Sequence, residues 1–308
     1  MTTAIPLDAT ELGADTRVLF LLADPAATYA DNAALQAALT QVAVNDPHVS
    51  VLDLGVTRGD GIFETLDAVD GSPQSLEPHL ARLAHSAELL DLPTPSLELY
   101  RTAVHRAIKA SPHSHISVKL VMTRGIEGSD LCTGWVFAEE VPDFSEARVN
   151  GVSVVTLDRG YKHDVAKTSP WLLQGAKTLS YAVNKSAFRE AARRGADDVI
   201  FLSSDGFVLE GPTATVILQF GTHFVTPSTD QGILAGTAQA AFFDWCDARG
   251  YSREYREVTP DELVTADTIW LASSVRQIVP VRELDGVPRA FDAAVTADAL
   301  EYLMARRS

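Results

Sequence analysis

Cysteine is scarce in this 308-residue chain: Cys132 and Cys246 are the only two, far apart and without a CxxC pair. That excludes a disulfide framework and a cysteine zinc site, and a reducing cytoplasm suits such a chain. Basic stretches are also short. No Lys/Arg cluster exceeds Arg193-Arg194 or Arg306-Arg307, and the net charge is -16. Phosphate-backbone binding needs a basic face, so no nucleic-acid partner is expected, and any anionic ligand must be held by a local pocket. Long hydrophobic runs are missing as well. The apolar stretch Val18 to Ala23 is too short to span a bilayer and residues 1–6 carry no basic region, so neither a membrane nor an export signal is expected. There is no internal repeat and no low-complexity segment.

The composition, 46% hydrophobic and 21% charged, supports a soluble globular chain with enough apolar material for one large core or two medium ones. We expect a smaller N-terminal domain over residues 1–140, whose first fifty residues carry no assigned chemistry, a linker over 141–150, and a larger domain over 151–308. The acidic, aperiodic stretch Glu139 to Ala147, with Pro142 inside it, marks the boundary. In the first half, the patterns predict a strand at Arg17 to Leu22, a helix at Asn32 to Ala43 and a mostly buried strand at Val49 to Val56. Arg58-Gly59-Asp60-Gly61 then turns the chain into a strand from Ile62 to Asp67. Leu80, Leu83, Ala84, Ala87 and Leu90 fall at helical spacing, with Arg82 beside the apolar stripe. A second helix follows from Ser96 to Ala110, then a strand from Ile116 toward Gly125. His113-Ser114-His115 lacks a third ligand nearby, so no metal is expected.

The second half is read around Gln174-Gly175-Ala176-Lys177-Thr178. Thr178 can cap a helix that carries Leu179, Val183 and Ala187, which would make Lys177 an anchored amine. Further strands are expected at Val152 to Leu157, Asp198 to Ser203, Phe207 to Gly211, Val216 to Leu218 and Thr268 to Ala272. Asp205-Gly206 is expected to form a hairpin turn, and Ile278 to Val281 with the Asp285-Gly286 turn a closing hairpin. Glu210 ends an otherwise apolar strand. Gly236-Thr237-Ala238 opens a helix reaching Arg249, and a Gly-Thr helix start presents N–H groups to an anion. Thr259 to Glu262 is a capping box, and Phe291 to Arg306 a terminal helix.

An anchored lysine, an acid at a strand end, an arginine beside an apolar helix face and a Gly-Thr helix start form a set suited to pyridoxal 5'-phosphate. Its aldehyde needs a lysine, its ring nitrogen a carboxylate, and its phosphate an arginine with N–H donors.

The chain also resembles the fold-type IV pyridoxal-phosphate enzymes, a family of branched-chain and D-amino-acid aminotransferases and aminodeoxychorismate lyases. The resemblance is carried by Gly59-Asp60-Gly61-Ile62-Phe63-Glu64, His79-Leu80-Ala81-Arg82-Leu83, Lys177-Thr178-Leu179-Ser180-Tyr181, Gly195-Ala196-Asp197-Asp198, Asp205 through Gly211, and Gly236-Thr237. It implies a two-domain α/β (α+β) fold with a C-terminal pseudo-barrel, the cofactor in the interdomain cleft, and a homodimer. It implies Lys177 as the cofactor-linked lysine and proton carrier, Glu210 as the ring-nitrogen partner, and Tyr181 beside the phenolic oxygen. Arg82, Gly236, Thr237, Ala238 and Ser274 would hold the phosphate. Thr213, Ala214 and Thr215 would adjoin the cofactor, and Phe63, Thr65, Ser273 and Val275 the amine or amino-acid substrate. The stretches around Lys177 and Glu210 are most similar to actinobacterial-type aminodeoxychorismate lyases. Ile126-Glu127-Gly128-Ser129 stands where the Bacillus-type D-amino-acid aminotransferases carry an Arg-x-His carboxylate trap. Gln239 follows Ala238 where aminotransferases commonly continue Ile-Thr-Arg. The expected reaction is therefore release of pyruvate and 4-aminobenzoate from aminodeoxychorismate, with transamination of D-amino acids, (R)-amines or branched-chain amino acids as the alternative.

Overall fold

The computed structural model describes residues 15–306, so the reading of residues 1–6 lies outside it. The first half builds a six-stranded sheet in the order β2-β1-β6-β5-β3-β4. Its strands are β1 (Val18–Leu22), β2 (Leu39–Val42), β3 (Gly61–Val69), β4 (Ser72–Pro73), β5 (His115–Thr123) and β6 (Thr133–Glu140), and its helices α1 (Asn32–Ala37), α2 (Leu54–Thr57), α3 (Leu76–Leu89) and α4 (Leu97–Ala110). Alternation along β3 sends Ile62, Glu64 and Leu66 to one face and Phe63 and Thr65 to the other. The first face packs against Leu80, Leu83 and Ala87 of α3 and Leu99, Ala103 and Val104 of α4 in one buried cluster. The second face turns toward the other half of the molecule.

That half begins with α5 (Ser145–Asn150), inside the stretch expected as linker. It continues through β7 (Val152–Asp158), α6 (Val165–Thr168), α7 (Ala182–Arg193), β8 (Asp198–Leu202), β9 (Thr215–Phe220), β10 (His223–Pro227), α8 (Thr237–Arg249), β11 (Ser252–Arg256), α9 (Pro260–Thr265), β12 (Thr268–Ser273), β13 (Gln277–Leu284), β14 (Val287–Pro288) and α10 (Ala293–Ala305). The strands form an eight-stranded sheet ordered β11-β10-β9-β12-β13-β7-β8, with β14 on β13. One of its faces carries an aliphatic cluster around Val216, Leu218 and Ile269. Its other face packs the aromatic side chains Phe242, Trp245 and Trp270 of a second cluster that includes α8 and α10. The two halves are joined where the lysine-bearing segment lies along β3: Thr178 bridges Ile62, the Phe63 N–H donates to the Lys177 carbonyl at 3.0 Å, and the Leu179 N–H donates to Gly61 at 2.8 Å.

Several expectations need correction. The helix from Asn32 stops at Ala37, and Leu39–Val42 pairs with β1 as an edge strand. Val49 to Val56 is a turn followed by the short α2, capped by the fully buried Asp53. Its apolar side chains face outward, with Val51, Leu52 and Val56 79%, 64% and 60% exposed, so no sheet claims them. Thr178 caps no helix: α7 starts at Ala182 with Tyr181 as N-cap, and Thr178 makes an isolated bridge to Ile62 between bends at Ala176 and Leu179. Phe207 to Gly211 forms no regular strand, although the Phe201 N–H donates to the Glu210 carbonyl at 2.9 Å. The parallel pair β10–β11 escaped the pattern reading altogether.

Both glycines of the Gly-Asp-Gly turn are required. Gly59 has φ +69°, and a Cβ on Gly61 would stand 2.7 Å from the Met122 carbonyl oxygen. Asp60 between them is structural, pairing with Arg124 at 2.7 Å.

Leu66 is fully buried in the centre of the first cluster. Leu66→Ala should lower the unfolding free energy by about 2–5 kcal/mol. The same truncation at exposed Val51 should stay within about 0.5 kcal/mol. Urea unfolding midpoints of the two variants check both values.

Candidate active site

The site is built outward from a buried carboxylate. Glu64 lies on the core-facing side of β3, where an apolar residue would ordinarily stand, and is 0% exposed. From α3, His79 and Arg82, one turn apart on the same face, reach it. Arg82 Nε lies 2.7 Å from Oε1 and Nη2 2.7 Å from Oε2, a two-point fork, while His79 Nδ1 lies 2.7 Å from Oε2. Burial drives the Glu64 pKa up, but the Arg82 charge and the hydrogen bonds from Arg82 and His79 outweigh it and bring it to about 2. Burial, more than the opposing pull of Glu64, holds the His79 pKa down. A neutral His79 donating through Nδ1 has an accepting Nε2, which faces the Thr237 hydroxyl at 3.1 Å and the Ser274 hydroxyl at 3.3 Å.

Those hydroxyls, 3.0 Å apart, belong to a cup. Gly236 is the N-cap of α8, and the N–H groups of Thr237 and Ala238 open its first turn, where the helix dipole favours an anion. A Cβ on Gly236 would meet Thr215 Oγ1 at 2.3 Å, so the turn can pass there only as glycine. Arg82 closes the cup from below. Its fork is taken by Glu64 and its Nη1 donates to the Ala235 carbonyl at 2.6 Å, which leaves the second N–H of Nη1 and the charge for the cup.

Above the cup stands Lys177. Its backbone is fixed on both sides: the Ser86 hydroxyl accepts from its N–H at 3.1 Å, and its carbonyl accepts from Phe63. Its Nζ lies 4.5 Å from the centre of the Phe63 ring. The residue is half-buried, and burial, followed by repulsion from Arg82, lowers the amine pKa from 10.5 to about 8. Glu210 moves in the opposite direction. Burial raises its pKa to about 7, against the Leu234 N–H at 3.1 Å and the charge of Lys177. Tyr181 donates to the Pro212 carbonyl at 2.8 Å, packs edge-on to Phe63 at 5.4 Å, and has its phenol pushed up to about 12 by burial and by Glu210.

The other expected residues occupy different layers. Phe63 and Thr65 share the side of β3 opposite the α3–α4 core; Ser273 and Val275 flank Ser274 and are half-buried. Ala214 packs into the aliphatic cluster and Thr215 lies under the Gly236 turn, while Thr213 is exposed. Sequence reasoning gave no role to Glu64, His79 or Ser86. The available signal was an acid on the apolar phase of β3, since Glu64 alternates in step with Ile62 and Leu66. His113 and His115 bind acids individually, Glu140 at 3.5 Å and Asp67 at 2.9 Å, and among the described residues no group of three or more His, Cys, Asp or Glu side chains could hold a metal.

A lysine of lowered pKa, a half-buried acid that acts on its charge and an anion-favouring helix start are the kinds of group that pyridoxal 5'-phosphate requires. Residues 61–284 match the family model described as amino-transferase class IV, and the chain belongs to that family, whose members are pyridoxal-phosphate enzymes. Among characterised relatives, the bifunctional aminodeoxychorismate lyase / D-amino acid transaminase of Mycobacterium tuberculosis is 44% identical over 262 residues, covering 81% of this chain and 91% of the relative. The solved fold IV-transaminase of Curtobacterium pusillum superposes with a TM-score of 0.89 at 52% identity, covering 94% of this chain and 99% of that one. A Mycobacterium tuberculosis structure described as a hypothetical aminotransferase in its PLP-bound form gives a TM-score of 0.84 at 38% identity, with coverage of 93% and 99%. The fold expectation, a mixed α/β class IV architecture, is met.

Glu64→Ala leaves Arg82 buried without its carboxylate. We expect a loss of about 3–5 kcal/mol in unfolding free energy together with weaker cofactor retention. Denaturant titration and the cofactor absorbance remaining after dialysis measure the two effects. Arg82→Ala in the Glu64→Ala background should restore part of the stability but none of the retention.

Proposed function

We propose that the chain is an aminodeoxychorismate lyase, releasing pyruvate and 4-aminobenzoate, and that D-amino-acid transamination is its second activity. The observation that carries this reading is a single lysine with a lowered pKa, within electrostatic reach of Arg82 and of the half-buried acid Glu210, in a chain similar to a bifunctional lyase and transaminase. Bound pyridoxal phosphate supplies an aldehyde that captures amines and a protonated ring that takes up an electron pair. Glu210 would keep the ring nitrogen protonated, and the cup of Thr237, Ala238 and Ser274 with Arg82 would hold the phosphate. Lys177 Nζ takes the proton from the substrate carbon that bears the amine. With aminodeoxychorismate, the neighbouring C–O bond would then break, the oxygen of the departing enolpyruvate would keep the electron pair, and the enolpyruvate would take up a proton at its methylene carbon to become pyruvate as the ring becomes aromatic. With a D-amino acid there is no such leaving group. Lys177 Nζ would then return that proton at the cofactor's aldehyde carbon, and the bound group would retain the amine.

The substrate side of the cleft is the open face of β3 and β5. Lys119 pairs in register with Thr65, stands exposed on the face that carries Phe63, and is close enough for its charge to depress the Lys177 amine. No ion pair holds it among the described residues. It is therefore suited to take a substrate carboxylate, the group that both substrate classes share.

Trp171 and Leu172, 73% and 46% exposed, stand on the segment leading to Lys177. They favour a homodimer in which a second copy covers this edge. Among the described residues no helix is long and apolar enough to cross a membrane, and we place the enzyme in the cytoplasm.

The experiment supplies aminodeoxychorismate and, separately, D-alanine with 2-oxoglutarate. 4-Aminobenzoate with pyruvate is expected from the first, and pyruvate with D-glutamate, more slowly, from the second. D-Glutamate without any 4-aminobenzoate would refute the lyase assignment. Lys177→Ala should abolish both activities. Lys119→Met should raise KM for either substrate about 10–100-fold, the loss of one charge-assisted contact, and should spare amines that lack a carboxylate. The rate of cofactor capture by apoprotein should rise with pH through about 8, because only the neutral Lys177 amine attacks an aldehyde and raising the pH past its lowered pKa produces that form. Stopped-flow absorbance follows it.

A further inference from the structure

The turn that carries the Ser274 hydroxyl into the cup ends at a residue in an unusual state. Gln277, the first residue of β13, has φ +61° and is 0% exposed. A buried side chain on left-handed backbone persists only where its surroundings over-determine it, and such positions concentrate at functional sites.

Its surroundings do over-determine it. The Gln277 amide nitrogen lies 2.6 Å from the Ser274 carbonyl, 3.1 Å from Asp67 Oδ2 and 3.3 Å from Gln74 Oε1. Its amide oxygen faces Arg306 Nη2 at 3.5 Å. Asp67 follows Glu64 and Thr65 along β3, is 1% exposed, and is held on its other oxygen by His115 at 2.9 Å. Arg306 also donates to Gln74 Oε1 at 3.2 Å and to the Ser75 hydroxyl at 3.0 Å. Ser75, with φ +54°, is the N-cap of α3, the helix that brings His79 and Arg82 to the cup.

One amide thus joins the strand that bears Glu64, the start of the helix that bears Arg82, and the turn that bears Ser274. The far side of the turn is gripped independently. Arg148 of α5 donates to the Arg276 and Val275 carbonyls at 3.1 and 3.3 Å, and Arg276 pairs with buried Asp198 at 2.7 Å.

We propose that Gln277 is a positioning residue for the cofactor phosphate: its amide, bridging Asp67 of one sheet to the Ser274 carbonyl of the other, sets the Ser274 hydroxyl against Thr237 and His79. The proposal rests on the cup being the phosphate site. A glutamine that only stabilised the fold would affect every ligand of the cleft alike, whereas a positioning residue acts on the phosphate alone.

The test titrates apoprotein with pyridoxal 5'-phosphate and with pyridoxal, which lacks the phosphate, for wild type, Gln277→Met and Gln277→Gly. Met keeps the bulk without the hydrogen bonds. Gly relieves the left-handed backbone, so it remains informative if the Met variant folds poorly. The expected result is at least a tenfold loss of pyridoxal-phosphate affinity in the variants, less than a twofold change for pyridoxal, and a matching loss of competition by inorganic phosphate. Parallel loss of both affinities, or unchanged pyridoxal-phosphate affinity, overturns the proposal. Wild type that binds the two compounds equally well overturns the cup assignment itself, and the role of Gln277 with it.

Discussion

Glu64 has no exposed surface, yet its carboxylate is ionised, and the geometry of the site follows from how that charge is compensated. Removing a carboxylate from water is costly unless charge and hydrogen bonds are returned to it. Arg82 returns two bonds in a fixed fork and His79 a third. Because both come from one face of α3, satisfying Glu64 fixes the rotation of that helix against β3. Once the helix is fixed, the accepting nitrogen of His79 faces the hydroxyls of Thr237 and Ser274, and the remaining Nη1 of Arg82 spans to Ala235. The pair is best understood as a buried frame on which residues from the second sheet are aligned.

On the frame sit two groups whose titrations have been drawn toward each other. Burial lowers Lys177 to about 8 and raises Glu210 to about 7. An amine that must alternately hold and release a proton works best with a pKa near the working pH. A half-buried acid whose only hydrogen-bond donor among the described residues is the Leu234 N–H retains accepting capacity for a further donor. Phe63 and Ser86 hold the lysine in place and Tyr181 packs against Phe63, so the chemistry is concentrated in two side chains and the rest of the site supplies orientation.

Much of this could be read before any coordinates. The helix of Leu80 and Leu83 and the helix opening at Gly236-Thr237 are local patterns with local causes, and they carry Arg82 and the cup N–H groups. The capping box at Thr259 is another. What stayed hidden depends on partners distant in sequence. Nothing near Glu64 announces that His79 and Arg82 will reach it, and the fixed backbone of Lys177 comes from Phe63 and Ser86, not from a cap by Thr178. The run Val49 to Val56 misled because an apolar stretch reads as a buried strand by composition alone. Here it borders the surface, and the informative residue within it was the polar one, Asp53, whose second oxygen takes the Thr133 hydroxyl at 2.6 Å.

The account stands on a single amine linking the cofactor, and mapping that link is its most direct test. Holoenzyme reduced with borohydride, digested and sequenced by mass spectrometry should carry the phosphopyridoxyl mass on the peptide containing Lys177 and on no other. The same mass on Lys119, Lys162, Lys167 or Lys185 in place of Lys177, or no covalent adduct at all in a protein saturated with pyridoxal phosphate, would contradict it.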